Sequence, residues 1–262
     1  MKLLLALLLL PSAATAQGQS AGVTDIRLLP GWRAGDVHHA ALSITLEPGW
    51  HTYWRVPGEA GIPPVFAWNG SSNLERVGIT WPAPSLFDQN GMTSIGYEGT
   101  LILPLDIIPA DAAAPVRLEA QVEIGVCKDI CVPFTADVFA DLPTGGAPDS
   151  LIRSARATAA VSGPNAGVGA VTCRAEPIDD GLRVTSRIDW PGAGGREHVV
   201  MELPGSDVWI SDATVARDGG YLVAVADMVP PSGAPFALDR SSVRITILAG
   251  GRALNIEGCT GG

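Results

Sequence analysis

The sequence has 262 residues and a formal net charge of −10, with 47% hydrophobic and 17% charged residues. This length allows one large domain or two modest ones, and the composition excludes intrinsic disorder. Its 31 glycines and 21 prolines interrupt the chain too often for long helices, so many short strands are expected. Because the net charge repels phosphate backbones, nucleic acid is not an expected partner.

The first sixteen residues have the pattern of a secretory signal peptide. Lys2 supplies the positive start, residues 3–10 the apolar stretch, and Ala14-Thr15-Ala16 the small-residue cleavage site. The apolar stretch is too short to cross a bilayer, and no later stretch reaches about 18 uninterrupted apolar residues, so no membrane insertion is expected. We therefore expect a mature chain that starts near Gln17 and is exported and soluble.

The first half of the chain consists of short apolar or alternating runs separated by glycine and proline, as is typical of strands. The clearest alternation covers residues 116–126, where apolar residues alternate with mostly polar ones. This pattern predicts a half-buried antiparallel strand. The strands predicted here are 24–29, 39–46, 50–55, 64–68, 76–81, 101–108, 116–126 and 132–140.

A second strand-rich unit is expected from about residue 169. Residues 142–150 form a break rich in proline and glycine, and residues 150–160 lack both, which indicates a short helix or a linker. Further strands are predicted at 171–176, 182–189, 198–203, 208–215, 221–226, 242–248 and 253–257. The fold class predicted is all-β, with two immunoglobulin-like β-sandwich domains at 17–145 and 169–262 joined by a linker at 146–168. One larger sandwich is the alternative.

Four cysteines, Cys127, Cys131, Cys173 and Cys259, allow three disulfide pairings, and export permits such bonds to persist. The sequence layout favours Cys127 with Cys131 and Cys173 with Cys259. In the chain-entropy model the distant bridge, closing roughly 87 residues, stabilises the fold by about 4.6 kcal/mol, against about 2 kcal/mol for the near one. The distant pair therefore suits a structural role, whereas the near pair suits a reducible bridge or, alternatively, a hairpin clip.

The near pair lies between two predicted strands. Fully extended, the segment from Cys127 to Cys131 would separate the two Cα atoms by about 13 Å, beyond the reach of a disulfide. A three-residue hairpin loop, residues 128–130, would instead place the cysteines opposite each other. Within this loop Lys128 would favour a thiolate, while Asp129 would oppose it.

Four motifs precede this pair along the chain, and Val132-Pro133 follows it directly. In chain order, the motifs and the pair are Gly49-Trp50-His51-Thr52-Tyr53-Trp54-Arg55, Pro57-Gly58-Glu59-Ala60-Gly61-Ile62-Pro63-Pro64, Trp81-Pro82-Ala83-Pro84, Gly96-Tyr97 and Cys127-x3-Cys131-Val132-Pro133. Together they resemble the N-terminal periplasmic region of the DsbD and ScsB family of thiol:disulfide interchange proteins. DsbD has five residues between its cysteines and this chain has three, so the sequence resembles the ScsB-like branch more closely.

The resemblance implies a periplasmic domain whose cysteine pair cycles between dithiol and disulfide without any cofactor. Its partners would be a membrane-embedded reductase of the DsbD or CcdA kind, on a separate chain because this sequence stops at Gly262, and oxidised periplasmic proteins, including those of the thioredoxin fold. Cys131 would form the mixed disulfide and Cys127 would resolve it. The family also shields its pair with a cap loop, a role that residues 87–96 would fill, with Phe87 and the adjoining Tyr97 as modulating residues. An ordinary surface loop is the alternative for this stretch.

Two other functions stay open on the sequence. A non-catalytic immunoglobulin-like binding or scaffold protein would keep its Cys127–Cys131 bridge closed under mild reductant. A periplasmic Cu(I)-binding protein could use the two thiolates as soft ligands, assisted by Met92 or His51.

Overall fold

The computed structural model describes residues 22–89, 91–192 and 196–262, and most of these residues lie in strands. The signal peptide predicted at residues 1–16 lies outside the described residues. In chain order the elements are β1 (Val23–Ala34), β2 (Val37–Leu46), β3 (His51–Gly58), β4 (Val65–Ala67), β5 (Leu74–Ile79), β6 (Ser85–Gln89), β7 (Met92–Glu98), β8 (Thr100–Pro109), β9 (Val116–Cys127), β10 (Cys131–Leu142), α1 (Ser150–Ala157), β11 (Val161–Ser162), β12 (Val171–Ile178), β13 (Gly181–Asp189), β14 (His198–Glu202), β15 (Trp209–Ile210), β16 (Thr214–Asp218), β17 (Tyr221–Val229), β18 (Arg244–Ala249), β19 (Arg252–Glu257) and β20 (Thr260–Gly261). Short 3₁₀ turns occur at Pro164–Ala166 and Arg240–Ser242.

The first ten strands form two sheets around one apolar core. One sheet has the order β1-β2-β8-β5, and the other has the order β10-β9-β3-β7-β6, with β4 pairing with β9. The alternation predicted for β9 is confirmed, since Leu118 and Val122 are fully buried while Arg117 and Gln121 are exposed. This alternation leaves one face of β9 for the core and the other for the outer surface of the sheet.

The remaining strands form two further sheets around a second core. Their orders are β11-β19-β18-β14 and β15-β17-β13-β12-β20, with β16 pairing with β17. Val184, Leu222 and Ile245 are fully buried between them. The predicted fold class is confirmed, because both pairs of sheets form immunoglobulin-like sandwiches.

The segment between the sandwiches contains helix α1, which packs on the first one. The Asp149 side chain caps the helix by accepting hydrogen bonds from the backbone N–H groups of Leu151 and Ile152. Such a cap contributes about 1 kcal/mol of stability. The Ile152 side chain is fully buried, and Arg156 pairs with Asp106 of β8. The helix is therefore fixed to the first sandwich at both of its ends.

The two sandwiches are also in direct contact. Val200, Leu248 and Ala253, from β14, β18 and β19, are buried within the apolar cluster of the first sandwich. Arg55 of β3 forms a bidentate ion pair with Glu202 of β14, at 3.0 and 2.8 Å. Strand β3 of the first sandwich is thus held by an ion pair to the second sandwich.

The structure differs from the predicted elements in two places. The stretch 87–96, expected as a loop, lies mainly in a β-hairpin of β6 and β7, whose ladder includes Phe87 opposite Ser94. The polar residues and glycines of this stretch indicate a loop when read alone, but its strands are held by pairing of β7 with β3. The single strand predicted at 208–215 is divided into β15 and β16, which both pair with β17.

Buried histidines should make stability depend on pH. Burial lowers the pKa values of His38, His39 and His198, and the Nε2 atom of fully buried His38 lies 2.5 Å from the carbonyl oxygen of Pro30. The histidines of the unfolded chain bind protons near pH 6.5, whereas those of the folded chain bind them only at lower pH. The free energy of unfolding should therefore fall as the pH is lowered from about 7.5 to 5.5. Urea unfolding across that range measures the fall.

His38→Gln keeps a side-chain N–H for the Pro30 carbonyl but removes one titrating group. This variant should make the pH dependence shallower, by at most about 1.4 kcal/mol per pH unit. A slope equal to that of the unsubstituted protein would contradict the assignment of His38 as a contributor.

Candidate redox site

The hairpin of β9 and β10 brings Cys127 and Cys131 together. Their strands are in register with the two cysteines directly opposite, the Cα atoms lie 4.2 Å apart, and the sulfurs form a disulfide. The connecting loop is residues 128–130, in which the Lys128 N–H donates to the carbonyl oxygen of Ile130 at 3.3 Å. The three-residue loop and the pairing predicted from the sequence are both confirmed.

The two cysteines differ in their exposure to solvent. Cys127 is fully buried, whereas Cys131, the first residue of β10, is exposed. Ile130, beside it in the loop, is 69% exposed. A partner can therefore approach Cys131 from solvent, while Cys127 lies beneath the surface.

Strand β3 supplies the side chains that lie on the disulfide. His51 of β3 pairs directly with Cys127 of β9, and the alternation of side chains puts Tyr53 on the same face as His51. The Tyr53 side chain is buried, and its hydroxyl oxygen lies 2.6 Å from Cys127 Sγ and 3.1 Å from Cys131 Sγ. A hydroxyl in this place can donate a hydrogen bond to either sulfur, and most strongly to a thiolate.

A glycine on β9 makes room for this tyrosine. A Cβ atom at Gly125 would lie 2.7 Å from Cβ of Ile62 and 3.0 Å from the ring of Tyr53. Such contacts are too close for a side chain, so only glycine lets the tyrosine ring lie against the strand next to the disulfide. Ile62, from the loop between β3 and β4, closes the site above this glycine.

The β6–β7 hairpin forms the second side of the site. The ring of Phe87 stacks on His51 with 4.7 Å between ring centroids, and His51 meets Tyr53 edge to face at 5.5 Å. Phe87 is thus connected to the sulfurs through two intervening rings. Leu86 and Met92 of the same hairpin are 46% and 44% exposed, so the hairpin presents apolar side chains to solvent beside the site.

The other three candidate residues lie apart from the sulfur contacts. Gly96 of β7 pairs with Tyr53, so the next residue, Tyr97, points to the opposite face and into the first core. Its hydroxyl donates to the Pro82 carbonyl oxygen at 2.8 Å, and burial raises the pKa of Tyr97. Lys128 and Asp129 are exposed on the loop between the cysteines.

Sequence reasoning did not identify Tyr53 as a site residue, and it named His51 only as a possible copper ligand. The signal was present in the motif that contains both residues, because side chains two positions apart on a strand share a face. The sequence pattern does not reveal that β3 pairs with β9. This pairing brings together Tyr53 and Cys127, which are 74 positions apart in the chain.

The second disulfide joins Cys173 and Cys259, as the sequence layout predicts, with the Cα atoms 5.7 Å apart. Cys173 is fully buried in the second core. Across residues 22–89, 91–192 and 196–262, no group of three or more His, Cys, Asp or Glu side chains could hold a metal ion. The helices within these ranges are all too short or too polar to cross a membrane.

The Tyr53 hydroxyl should stabilise the dithiol form more than the disulfide, because a thiolate is a far better acceptor than a disulfide sulfur. Tyr53→Phe removes this hydroxyl, and we expect the dithiol/disulfide equilibrium constant of the Cys127–Cys131 pair to fall about tenfold, since a hydrogen bond to a charged group contributes about 1.5 kcal/mol or more. Equilibration with glutathione buffers, followed by alkylation and peptide mass analysis, measures this constant for each cysteine pair separately.

Tyr97→Phe is the matched control, because it removes a buried hydroxyl on the neighbouring strand that bonds to the Pro82 carbonyl. The equilibrium constant should not change in this variant. Equal shifts in the two variants would show that Tyr53 acts only through general stability.

Comparison with known proteins identifies the first sandwich. Residues 24–143 match the family described as thiol:disulfide interchange protein DsbD, N-terminal. The fold is similar to that in the crystal structure of the N-terminal periplasmic domain of ScsB from Proteus mirabilis, at 20% sequence identity and a TM-score of 0.63, covering 90% of this chain and 91% of that one. No curated protein sequence matches the chain significantly. Residues 24–143 therefore match the N-terminal domain of the DsbD family of thiol:disulfide interchange proteins, and the fold is that of the ScsB N-terminal periplasmic domain.

Proposed function

We propose that the protein is a periplasmic disulfide reductase component that passes reducing equivalents from a membrane-embedded reductase of the DsbD or CcdA kind to oxidised periplasmic proteins. The observation that carries this proposal is the pairing of an exposed cysteine, Cys131, with a buried one, Cys127, under a tyrosine hydroxyl. A bridge that only stabilised the fold would need neither an exposed cysteine nor a hydrogen-bond donor between the two sulfurs.

The reaction proceeds by two exchanges of sulfur. The Cys131 thiolate attacks one sulfur of the partner's disulfide, forms a mixed disulfide and releases the partner's other sulfur as a thiolate. The Cys127 thiolate then attacks Cys131 Sγ, which releases the second partner thiolate and closes the Cys127–Cys131 disulfide. Two electrons have then passed to the partner, and a dithiol on the membrane reductase restores the starting state by the same steps in reverse.

The geometry supports this division of roles. Cys127 Sγ is already bonded to Cys131 Sγ in the oxidised state, so the resolving attack is an intramolecular step with a high effective concentration. The Tyr53 hydroxyl, within hydrogen-bond reach of both sulfurs, can stabilise whichever sulfur carries the negative charge at each step.

The β6–β7 hairpin and the loop between the cysteines are proposed to control access. Phe87 would act as a cap by holding His51 and Tyr53 in place over the buried sulfur. Lys128 and Asp129, on the exposed loop, would modulate thiolate formation at Cys131 by their opposite charges.

The domain boundaries follow from the same proposal. Residues 1–16 would be a signal peptide, residues 17–145 the redox domain, residues 146–168 a linker that contains α1, and residues 169–262 a second domain held by the Cys173–Cys259 disulfide. The periplasm supplies both the oxidised substrates and the location next to the membrane that electron delivery requires.

Trapping in the native compartment tests the function. Cys127→Ser leaves the attacking sulfur without its resolving partner, so mixed disulfides through Cys131 should accumulate and migrate as larger species that disappear on reduction. Cys131→Ser is the matched control and should trap far less, because its remaining sulfur is buried. If neither variant captures a thioredoxin-fold or other disulfide-bearing partner, the proposed exchange function is wrong.

A further inference from the structure

Strand β3 leaves its ladder directly after the tyrosine of the redox site. Tyr53 pairs with Gly96 of β7, but the next paired residue is Gly58, opposite Ser94, so the residues between Tyr53 and Gly58 form a bulge. The pairing of β3 with β9 covers only His51 and Thr52. The position of the bulge is therefore not determined by these two ladders.

The second sandwich contacts the middle of this bulge through Arg55. Arg55 donates from Nε and Nη2 to the two carboxylate oxygens of Glu202, at 3.0 and 2.8 Å, and from Nη2 to the Thr246 hydroxyl at 3.2 Å. The side chains of Arg55 and Glu202 are only 22% and 12% exposed. The guanidinium also lies 3.9 Å from the ring centroid of Trp54. A bidentate, largely desolvated pair of this kind fixes an orientation as well as a distance.

Each end of the bulge leads to one side of the redox site. At one end, Tyr53 contacts both sulfurs. At the other end, the Glu59 N–H donates to the Thr93 carbonyl oxygen at 3.0 Å, and the Thr93 N–H donates to Glu59 Oε2 at 3.3 Å. Thr93 belongs to β7, and therefore to the hairpin that carries Phe87. Gly58 makes the approach possible, since a Cβ atom there would lie 2.4 Å from the Thr93 carbonyl oxygen.

We infer that Glu202, acting through Arg55, is a positioning residue for the redox site. The second domain then does more than support the first: it holds the bulge that places the Tyr53 hydroxyl on the sulfurs and the β6–β7 hairpin beside them. This inference rests on the proposed exchange function of Cys127 and Cys131 and assigns that reaction a contribution from the second sandwich.

The test measures the dithiol/disulfide equilibrium constant of the Cys127–Cys131 pair in the full mature chain. Glu202→Gln keeps the side-chain shape but removes the charge that holds Arg55, and the equilibrium constant should fall at least about threefold, the equivalent of weakening one hydrogen bond. Thr246→Val removes the single bond from Arg55, together with the bond that the Thr246 hydroxyl donates to Asn255 Oδ1 at 3.2 Å, and should shift the constant in the same direction by less. It also keeps the test decisive if Glu202→Gln does not fold.

Asp227→Asn is the matched control. Asp227 accepts a bidentate pair from Arg183 at 2.8 Å within the second sandwich, on the sheet that does not contain Glu202. Loss of that pair should leave the equilibrium constant unchanged. A further comparison in the Tyr53→Phe background separates positioning from stability, because Glu202→Gln should have no additional effect once the hydroxyl is gone.

The outcomes separate this inference from the function on which it rests. If the unsubstituted pair exchanges with glutathione but Glu202→Gln and Thr246→Val behave like Asp227→Asn, the inference is wrong and the proposed function stands. An undiminished effect of Glu202→Gln in the Tyr53→Phe background would also overturn it. If the unsubstituted pair does not exchange at all, the proposed function fails, and the inference fails with it.

Discussion

In the Cys127→Ser variant, Cys131 should react with a small thiol reagent on the order of 100-fold faster than Cys127 does in the Cys131→Ser variant. The reason is access: Cys127 is fully buried between strand β3 and its own hairpin, whereas Cys131 is exposed at the start of β10. A disulfide-containing chromogenic reagent under excess conditions gives both rate constants directly, and the Cys173–Cys259 disulfide does not interfere because it offers no free thiol.

The pH dependence of the two rates adds a second criterion. Since only the thiolate reacts, the rate for Cys131 should rise with pH and level off above the pKa of its thiol. Tyr53→Phe should move this pH dependence upward, because it removes a donor to the thiolate. Equal rates for the two single-cysteine variants, or a faster Cys127, would contradict the assignment of Cys131 as the attacking sulfur.

Removal of the Cys173–Cys259 disulfide should have the largest effect on stability. The bridge spans 86 positions in the sequence and ties β12 to the segment just before β20. In the chain-entropy model such a loop corresponds to about 4.6 kcal/mol, so Cys173→Ala with Cys259→Ala should lower the free energy of unfolding of the second sandwich by about 3 to 5 kcal/mol. Hydrogen exchange of the β12–β13 ladder reports that quantity for the second sandwich by itself.

The matched control is the double alanine variant of Cys127 and Cys131. It opens a disulfide only four positions long, for which the same model gives about 2 kcal/mol. Equal losses from the two variants would show that loop length does not determine the contribution of these bridges, and that Cys173–Cys259 is not the principal covalent support of the second sandwich.

Local patterns were sufficient to predict the redox hairpin. The alternation in β9, the three-residue spacing between the cysteines and the strand after Cys131 each depend on residues close together in the chain. The turn geometry of a three-residue loop leaves a single register, so the meeting of the two cysteines could be derived before any tertiary contact was known.

The rest of the site depends on pairings between distant segments. Tyr53 reaches the sulfurs because β3 pairs with β9, and the β6–β7 hairpin forms because β7 adds to β3 on its other side. The ion pair of Arg55 and Glu202 joins residues 147 positions apart. Such contacts carry no periodic signal in the sequence, which is why the stretch 87–96 indicated a loop and Tyr53 was not identified as a site residue.

The reduction potential of the Cys127–Cys131 pair tests the central claim most directly. The Cys173–Cys259 pair in the same molecule serves as the reference, because bridges that only stabilise secreted proteins have potentials below about −300 mV. Equilibration of the mature protein in glutathione or dithiothreitol buffers, with each pair quantified by alkylation and peptide mass, gives both values. We expect Cys127–Cys131 to lie above about −280 mV, within the range of exchange-active pairs, while Cys173–Cys259 stays oxidised throughout the glutathione range. Coincident potentials for the two pairs, both below about −300 mV, would contradict an exchange function and make both disulfides structural crosslinks.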